Sequence, residues 1–429
     1  MDIAILGSGE SAIGAALLAK HKGHSVFVSD AGIIKPDSRQ LLTEHNVRFE
    51  ESGHSIDILK KANLVIKSPG IPNHIPLIET LRSSGVEVIG EIEYGYRHLD
   101  GKCVAITGSN GKSTVTNMIY QSLSYAGLSA CIGGNFGKSL CRILYEGKRY
   151  DYYILEVSSF QLEDVVEFRP DISVLLNITP DHLDRYDYDI DKYAAAKFRI
   201  FENQTSSNHL IYNSDDLRIS EAVEIVDINS IGITMDGATE LLSKHVDLSQ
   251  LPFAGKHNYF NALVAIAIGD LLDVDSDTIT EGLKKYVSLA HRMEYVSSIN
   301  DVTFINDSKA TNTDAVYYAL EGVDGPVVWI VGGVDKGNDY STLMPLVQEK
   351  VSHIVCMGVD NAPILEQFAD SGVEISSRHT FEAAMDRAVI VARSGDTVLL
   401  SPACASFDLF NNYIHRGTLF KEYINKLKD

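Results

Sequence analysis

The sequence predicts an α/β protein of three domains: a Rossmann-like N-terminal domain, a central P-loop ATPase-like domain and a Rossmann-like C-terminal domain. Three observations carry this. Apolar strands run repeatedly into a glycine or polar turn and then a helix, the pattern of a parallel sheet with helices on its faces. The pattern restarts three times in 429 residues, a length suited to about three domains of roughly 150 residues each. A glycine- and lysine-bearing turn, TGSNGKST from Thr107 to Thr114, opens the second stretch where a phosphate loop would.

The first stretch spans 1–96. DIAILG reads as a strand, ESAIGAALLAKHKG as a helix with a glycine end, and HSVFVSD as the next strand. ANLVIKSPGI and VEVIGEIEYGYRHL repeat strand-to-turn and strand-to-helix steps. The second stretch spans 97–289. KCVAITG is a buried strand and KSTVTNMIYQSLSYAG its helix, with YDYYILEVSS and DISVLLNIT as further central strands. YAAAKFRIFEN and KHNYFNALVAIAIGDLL have helical spacing. The third stretch, 290–429, carries the strands VTFINDS, GPVVWIVGG, VSHIVCMG and DTVLLSPA, separated by helices.

Composition narrows the function. A formal net charge of -21 repels nucleic acid and anionic lipid. No apolar run reaches the ~18 residues of a membrane span, and MDIAILGSGES has neither a basic leader nor a cleavage site. A cytoplasmic protein with no membrane or nucleic-acid partner is expected. Five cysteines without a C-x-x-C pair read as scattered buried thiols.

Most polar oddities sit just after a strand, where open α/β sheets form ligand crevices. In GSNGKST, Gly108 and Gly111 let backbone N–H groups turn onto phosphate oxygens, beside the positive end of the following helix. Lys112 can reach the β- and γ-phosphates, and Ser113 or Thr114 can hold Mg²⁺. The full pattern G-x-x-x-x-G-K-[ST] would place its first glycine at 106, which is Ile106; the loop is a shortened variant.

Glu156 ends an apolar strand, where an unpaired carboxylate is costly. It is either a Mg²⁺ or water-orienting ligand or a buried glutamate paired with a lysine. Asp181, His182 and Asp184 follow Pro180. His182 faces a metal or nucleotide, or serves as a structural hydrogen-bonder. Three alanines precede Lys197, which spacing alone reads as solvent-facing. Near the N-terminus, Gly7, Gly9 and Gly14 follow a strand, and Asp30 stands 21 residues beyond Gly9, where an acid can take ribose hydroxyls. The spacing G-x-G-x-x-x-x-G points away from NAD and toward another nucleotide or anion. In the third stretch Asp307, Ser308, Lys309 and Thr311 form one polar turn, Ser401 and Ser406 another, and Gly332, Gly333 and Lys336 a third. Three such turns on one sheet edge suggest a second crevice.

Taken in order, TGSNGKST, EVSSFQLE, NITPDHLDRY, YAAAKFRIF, GKHNYFNA, HRMEYV, NDSKATN and SPACASFDLF resemble the Mur ligases of peptidoglycan synthesis. The resemblance covers the whole chain and is closest to the D-glutamate-adding branch. It implies that a nucleotide-linked carboxylate is phosphorylated by ATP to an acyl phosphate, which an amine then attacks to give an amide, ADP and phosphate. The partners would be UDP-N-acetylmuramoyl-L-alanine and D-glutamate, and the protein a monomer using ATP and two Mg²⁺ ions.

Carried over residue by residue, Gly108, Ser109, Asn110, Gly111, Lys112, Ser113 and Thr114 would bind the phosphates, with Lys112 on the γ-phosphate. Ser113, Glu156, His182 and a carbamylated Lys197 would serve the metals, which reverses the solvent-facing reading of Lys197. Asn258, Asp307 and Lys309 resemble base and ribose contacts, and Arg292 the arginine that reaches the γ-phosphate. Thr311, Lys336 and Ser406 match positions that hold D-glutamate, as does Tyr413, where relatives often carry Phe. Ser8, Gly9, Asp30 and Asn135 resemble the UDP-sugar site, with Ser68, Pro69 and Gly70 lining the uracil. Two rivals stand beside this: a relative adding another amino acid, and a nucleotide-binding switch without ligase chemistry.

Overall fold

A computed structural model describes residues 1–323, 325–335 and 337–428. The described chain contains three open sheets. The first is built from β1 (Asp2–Leu6), β2 (Ser25–Ser29), β3 (Arg48–Glu50), β4 (Leu64–Lys67) and β5 (Glu87–Gly90) in the order β3-β2-β1-β4-β5. The second holds β6 (Lys102–Thr107), β7 (Ala130–Gly134), β8 (Tyr152–Glu156), β9 (Ile172–Leu175), β10 (His209–Asn213) and β11 (Asn229–Ile233), ordered β11-β10-β9-β6-β8-β7. Every pairing in these two sheets is parallel. The third comprises β12 (Glu294–Ile299), β13 (Val302–Asn306), β14 (Val327–Val331), β15 (Val351–Met357), β16 (Glu374–Arg378) and β17 (Thr397–Leu400), in the order β12-β13-β17-β14-β15-β16. The chain divides into two compact units. One comprises 1–251 and 259–286 and carries the first two sheets; the other comprises 252–258 and 287–429 and carries the third.

The central strands are buried along most of their length, as parallel strands covered on both faces should be. Ile3 to Leu6, Cys103 to Ile106, Val327 to Val331 and Val398 to Leu400 are all nearly inaccessible. All five cysteines are buried thiols. Among the described residues no helix is long and apolar enough to cross a membrane.

Two local readings need correction. The helix expected through YAAAKFRIFEN stops at Phe198. Beyond it the backbone shifts to tighter bonds, Ile200 N–H to Lys197 O and Phe201 N–H to Phe198 O, while Arg199 turns to the Glu163 and Val165 carbonyls. The third sheet also has an antiparallel edge, β12 against β13. The two strands are joined by Asn300 and Asp301, both at positive φ (51° and 62°), a two-residue turn that only an antiparallel pair can use.

In the first unit, the first sheet is tied to segments following β8. Lys67 Nζ lies 2.5 Å from Asp164 Oδ2, and both side chains are buried. Burial pulls the Lys67 ammonium below its usual range, opposed by Asp164.

Candidate functional site

The register of the second sheet builds the first cluster. Ile106 of β6 pairs with Glu156 of β8 on one side and Val174 of β9 on the other. The ends of these three strands therefore emerge together where the strand order reverses, the place where open α/β sheets bind ligands. This register also explains the absent glycine. Ile106 is fully buried strand, and the turn proper begins only at Gly108, after the strand ends at Thr107.

Gly108 (φ 150°) and Gly111 (φ 85°) both adopt backbone conformations that favour glycine. A Cβ at Gly108 would meet Leu176 Cβ at 2.9 Å. The loop is pinned from β9's extension: Ser109 N–H donates to Asn177 O, Asn110 N–H to Asn177 Oδ1 (2.8 Å), and Thr179 N–H to Ser109 Oγ. Gly111 then caps the helix Lys112–Tyr125, whose first turn carries Lys112, Ser113 and Thr114. Here Lys112 Nζ folds back onto the carbonyls of Gly108 (2.8 Å) and Ser109 (2.7 Å).

Glu156 is buried, and among the described residues no lysine forms an ion pair with it of the kind considered from sequence. Its Oε2 accepts from Ser113 Oγ (2.5 Å) and its Oε1 from Asn135 Nδ2 (2.8 Å). Asn135 also donates its N–H to Glu156 O. Gly134 is required beside it, since a Cβ there would stand 2.3 Å from Glu156 O. Asn135, placed by sequence with the sugar nucleotide, thus shares a carboxylate with Ser113.

Lys197 is not solvent-facing: it is 1% exposed. Its Nζ donates to Gly108 O at 2.8 Å, the same oxygen that Lys112 uses, and sits 4.5 Å from the Tyr193 ring centre. Burial, then the neighbouring Lys112 charge, hold the amine well below the usual lysine range, with Asp181 and Glu156 opposing. A neutral amine is a nucleophile, and an ammonium is not. His182 takes a left-handed conformation (φ 53°). Its Nε2 lies 3.7 Å from Asp181 Oδ1, and its ring stands edge-on to Phe160 at 5.1 Å.

The same unit carries the N-terminal turns. Ser8 Oγ donates to Asp30 Oδ2 (2.6 Å), and Gly9 begins the helix Glu10–His21. Ser68 follows β4, its buried Oγ beside Gly7. Pro69 and Gly70 offer their carbonyls to Arg185.

The second unit holds the remaining residues. β17 lies between β13 and β14, which sets the turns after all three strands side by side, as expected for a crevice. Asp307 is fully buried; it accepts from Ser401 Oγ (2.9 Å) and the Met293 N–H. Burial pushes its carboxyl up to about 6, against the pull of Arg292. The Arg292 charge also acts on the half-buried His257, whose ring is held down at about 4 chiefly by desolvation. Asn258 donates to Ala254 O. Lys309 Nζ stands 5.9 Å from the Tyr413 ring, and Ser308 Oγ donates to Tyr413 O. Ser406 is buried, and Thr311 lies just beyond Asp307 in the same turn. Lys336 lies outside the described residues.

Sequence reasoning missed Arg416. Its fully buried guanidinium donates to Ser308 Oγ, Ser308 O, Cys404 O and, at 3.5 Å, Gly332 O, joining all three turns. The segment HRG carries no local signal for this, because the partners are 12, 84 and 108 residues away.

Three family models match in chain order: the MurD N-terminal domain over 2–76, the Mur ligase middle domain over 106–269, and the Mur ligase glutamate ligase domain over 291–404. The UDP-N-acetylmuramoylalanine–D-glutamate ligase of Cytophaga hutchinsonii is 45% identical across 99% of each chain. The chain belongs to the Mur ligase family. A second Mur ligase of the same name, from Bacteroides fragilis, is 43% identical over 99% of both chains. Among solved Mur ligases, MurC of Thermotoga maritima superposes over 99% of each chain at a TM-score of 0.62 and 19% identity. MurF of Acinetobacter baumannii does so at 0.62 and 16%, covering 97% of this chain and 93% of that one. These share the Mur ligase fold.

Proposed function

We propose that this chain joins D-glutamate to the alanyl carboxylate of UDP-N-acetylmuramoyl-L-alanine, converting ATP to ADP and phosphate, in cytoplasmic peptidoglycan precursor synthesis. The observation that carries it is the cluster at the ends of β6, β8 and β9, where a phosphate loop, a buried carboxylate and a buried lysine meet, in a chain 45% identical throughout to a ligase of that name. A nucleotide switch has no use for the buried Lys197.

Residues 1–96 hold the UDP end, 97–289 the ATP phosphates and metals, and 290–429 the amino acid. A carboxylate oxygen attacks the γ-phosphorus and ADP leaves. The amine of D-glutamate then attacks the acyl phosphate carbon, loses a proton, and expels phosphate as the amide forms. Such transfers depend on positioning and charge neutralisation. Lys112 supplies one charge, exchanging its loop carbonyls for phosphate oxygens; Arg292 supplies another. The loop N–H groups and the first turn of Lys112–Tyr125 hold the rest.

Ser113 Oγ and Glu156 offer hard oxygen ligands of the kind magnesium takes, so they fit that ion; bound there, it would neutralise charge on the transferring phosphoryl group. Lys197 completes the set once its neutral Nζ adds to CO₂ and loses a proton, leaving an anionic two-oxygen carbamate. His182 would serve the second metal. Asn258, Asp307 and Lys309 hold the adenosine; Thr311, Lys336, Ser406 and Tyr413 hold D-glutamate. Ser8, Gly9, Asp30, Ser68, Pro69, Gly70 and Asn135 hold the sugar nucleotide.

The test is phosphate release with ATP, Mg²⁺ and UDP-N-acetylmuramoyl-L-alanine. D-Glutamate is expected to stimulate release, and L-glutamate and L-alanine are not. Turnover with L-alanine on the free muramic acid nucleotide, and none with D-glutamate, would replace this reading with that of another Mur ligase.

A further inference from the structure

Arg185 belongs to the motif NITPDHLDRY, yet the family resemblance gives it no role. It lies in the short turn Leu183–Tyr186 that starts at His182, and its own N–H donates back to His182 O. The guanidinium reaches across to three consecutive carbonyls, Gly70 (3.2 Å), Pro69 (3.3 Å) and Ile71 (3.3 Å). Glu163 pairs with it at 2.8 Å, and the Arg185 side chain is only 11% exposed. A planar fork with several donors fits such a set of acceptors, whereas a lysine would not. The Phe160 ring supports both ends of the turn, 4.9 Å from the Arg185 Cζ and 5.1 Å from the His182 ring.

One side chain therefore grips the loop 68–71 while its backbone is fixed within a single turn of His182. We propose that Arg185 is a positioning residue for the sugar nucleotide: it fixes the loop that lines the uracil against the segment facing the reacting carboxylate. The substrate spans these two places, so an error in their separation misplaces it at one end or the other. This rests on the functional reading above, in which residues 68–70 line the uracil and His182 faces the reaction.

The test compares Arg185→Gln and Arg185→Lys with the unaltered protein, measuring each KM separately. Arg185→Gln is expected to raise KM for UDP-N-acetylmuramoyl-L-alanine about ten-fold, the scale of losing a charge-assisted hydrogen bond. KM for ATP and for D-glutamate should stay within about two-fold, and Arg185→Lys should recover part of the loss. A sugar-nucleotide KM that does not change, or three KM values that rise together, would overturn the proposal. If Arg185→Gln does not fold, Glu163→Gln takes its place. It frees the guanidinium on one side and should raise the same KM about three-fold; no change there also overturns the proposal. Absence of D-glutamate-dependent turnover in the unaltered protein would overturn the functional reading and this inference together. Normal turnover beside an indifferent Arg185→Gln would overturn this inference alone.

Discussion

Lys197→Ala is expected to lower kcat by about a thousand-fold, the scale seen when a group that stabilises transferring charge is removed, and short carboxylic acids should restore part of it. The reason lies in where the amine sits. Its side chain is buried against the Tyr193 ring and Gly108 O, with a second lysine drawn to the same oxygen. Burial, and then the second cation at the same place, hold the Lys197 amine well below the usual lysine range. A neutral amine can take up CO₂, and the resulting carbamate would add a second anionic group beside Glu156. In Lys197→Ala the cavity left behind can admit formate or acetate, a partial replacement for the missing carboxylate. The sign of the pH effect follows. Protonation blocks CO₂ addition, so activity in CO₂-depleted buffer should fall as pH is lowered and recover on adding bicarbonate. Kinetics with and without added acids check this. Full activity in Lys197→Ala would remove Lys197 from the mechanism.

Glu156→Gln is the second large effect expected, again about a thousand-fold in kcat, with a raised Mg²⁺ requirement. The substitution keeps the shape of the side chain and leaves an oxygen for the Ser113 hydroxyl or the Asn135 amide. The charge is lost, and the other oxygen becomes an NH₂ that the Ser113 hydroxyl can accept from. Burying a charge is costly in itself, so the melting temperature of Glu156→Gln should be no lower than that of the unaltered protein. Mg²⁺ titration of activity alongside thermal unfolding separates the two consequences. A large loss of stability with an unchanged Mg²⁺ requirement would make Glu156 a structural residue.

Much of this was legible in the sequence because it was local. Continuous apolar runs such as KCVAITG and GPVVWIVGG announce central strands, and glycines at 108 and 111 announce a tight phosphate turn. Short or weakly apolar edge strands did not declare themselves. β3 has three residues and β11 is largely exposed, so neither makes a run that stands out. The Asn300–Asp301 hairpin was hidden because its strands are joined too closely to look like an α/β step. Lys197 illustrates the deeper limit. On a helix wheel it reads as a surface lysine, and what buries it is a carbonyl 89 residues away. Only the family resemblance pointed to its place. Arg416 and Arg185 had neither local nor family signal: their meaning comes from carbonyls supplied by distant turns.

The loop that began as a phosphate turn without its first glycine is a turn beginning at Gly108, directly after a buried strand. What remains is which oxygen takes the phosphate. The direct measurement uses UDP-N-acetylmuramoyl-L-alanine carrying ¹⁸O in its alanyl carboxylate, turned over with ATP, Mg²⁺ and D-glutamate. The expected result is released phosphate bearing one ¹⁸O atom, with the label absent from the reaction lacking D-glutamate. Phosphate released without the label during amide formation would contradict an acyl phosphate on that carboxylate.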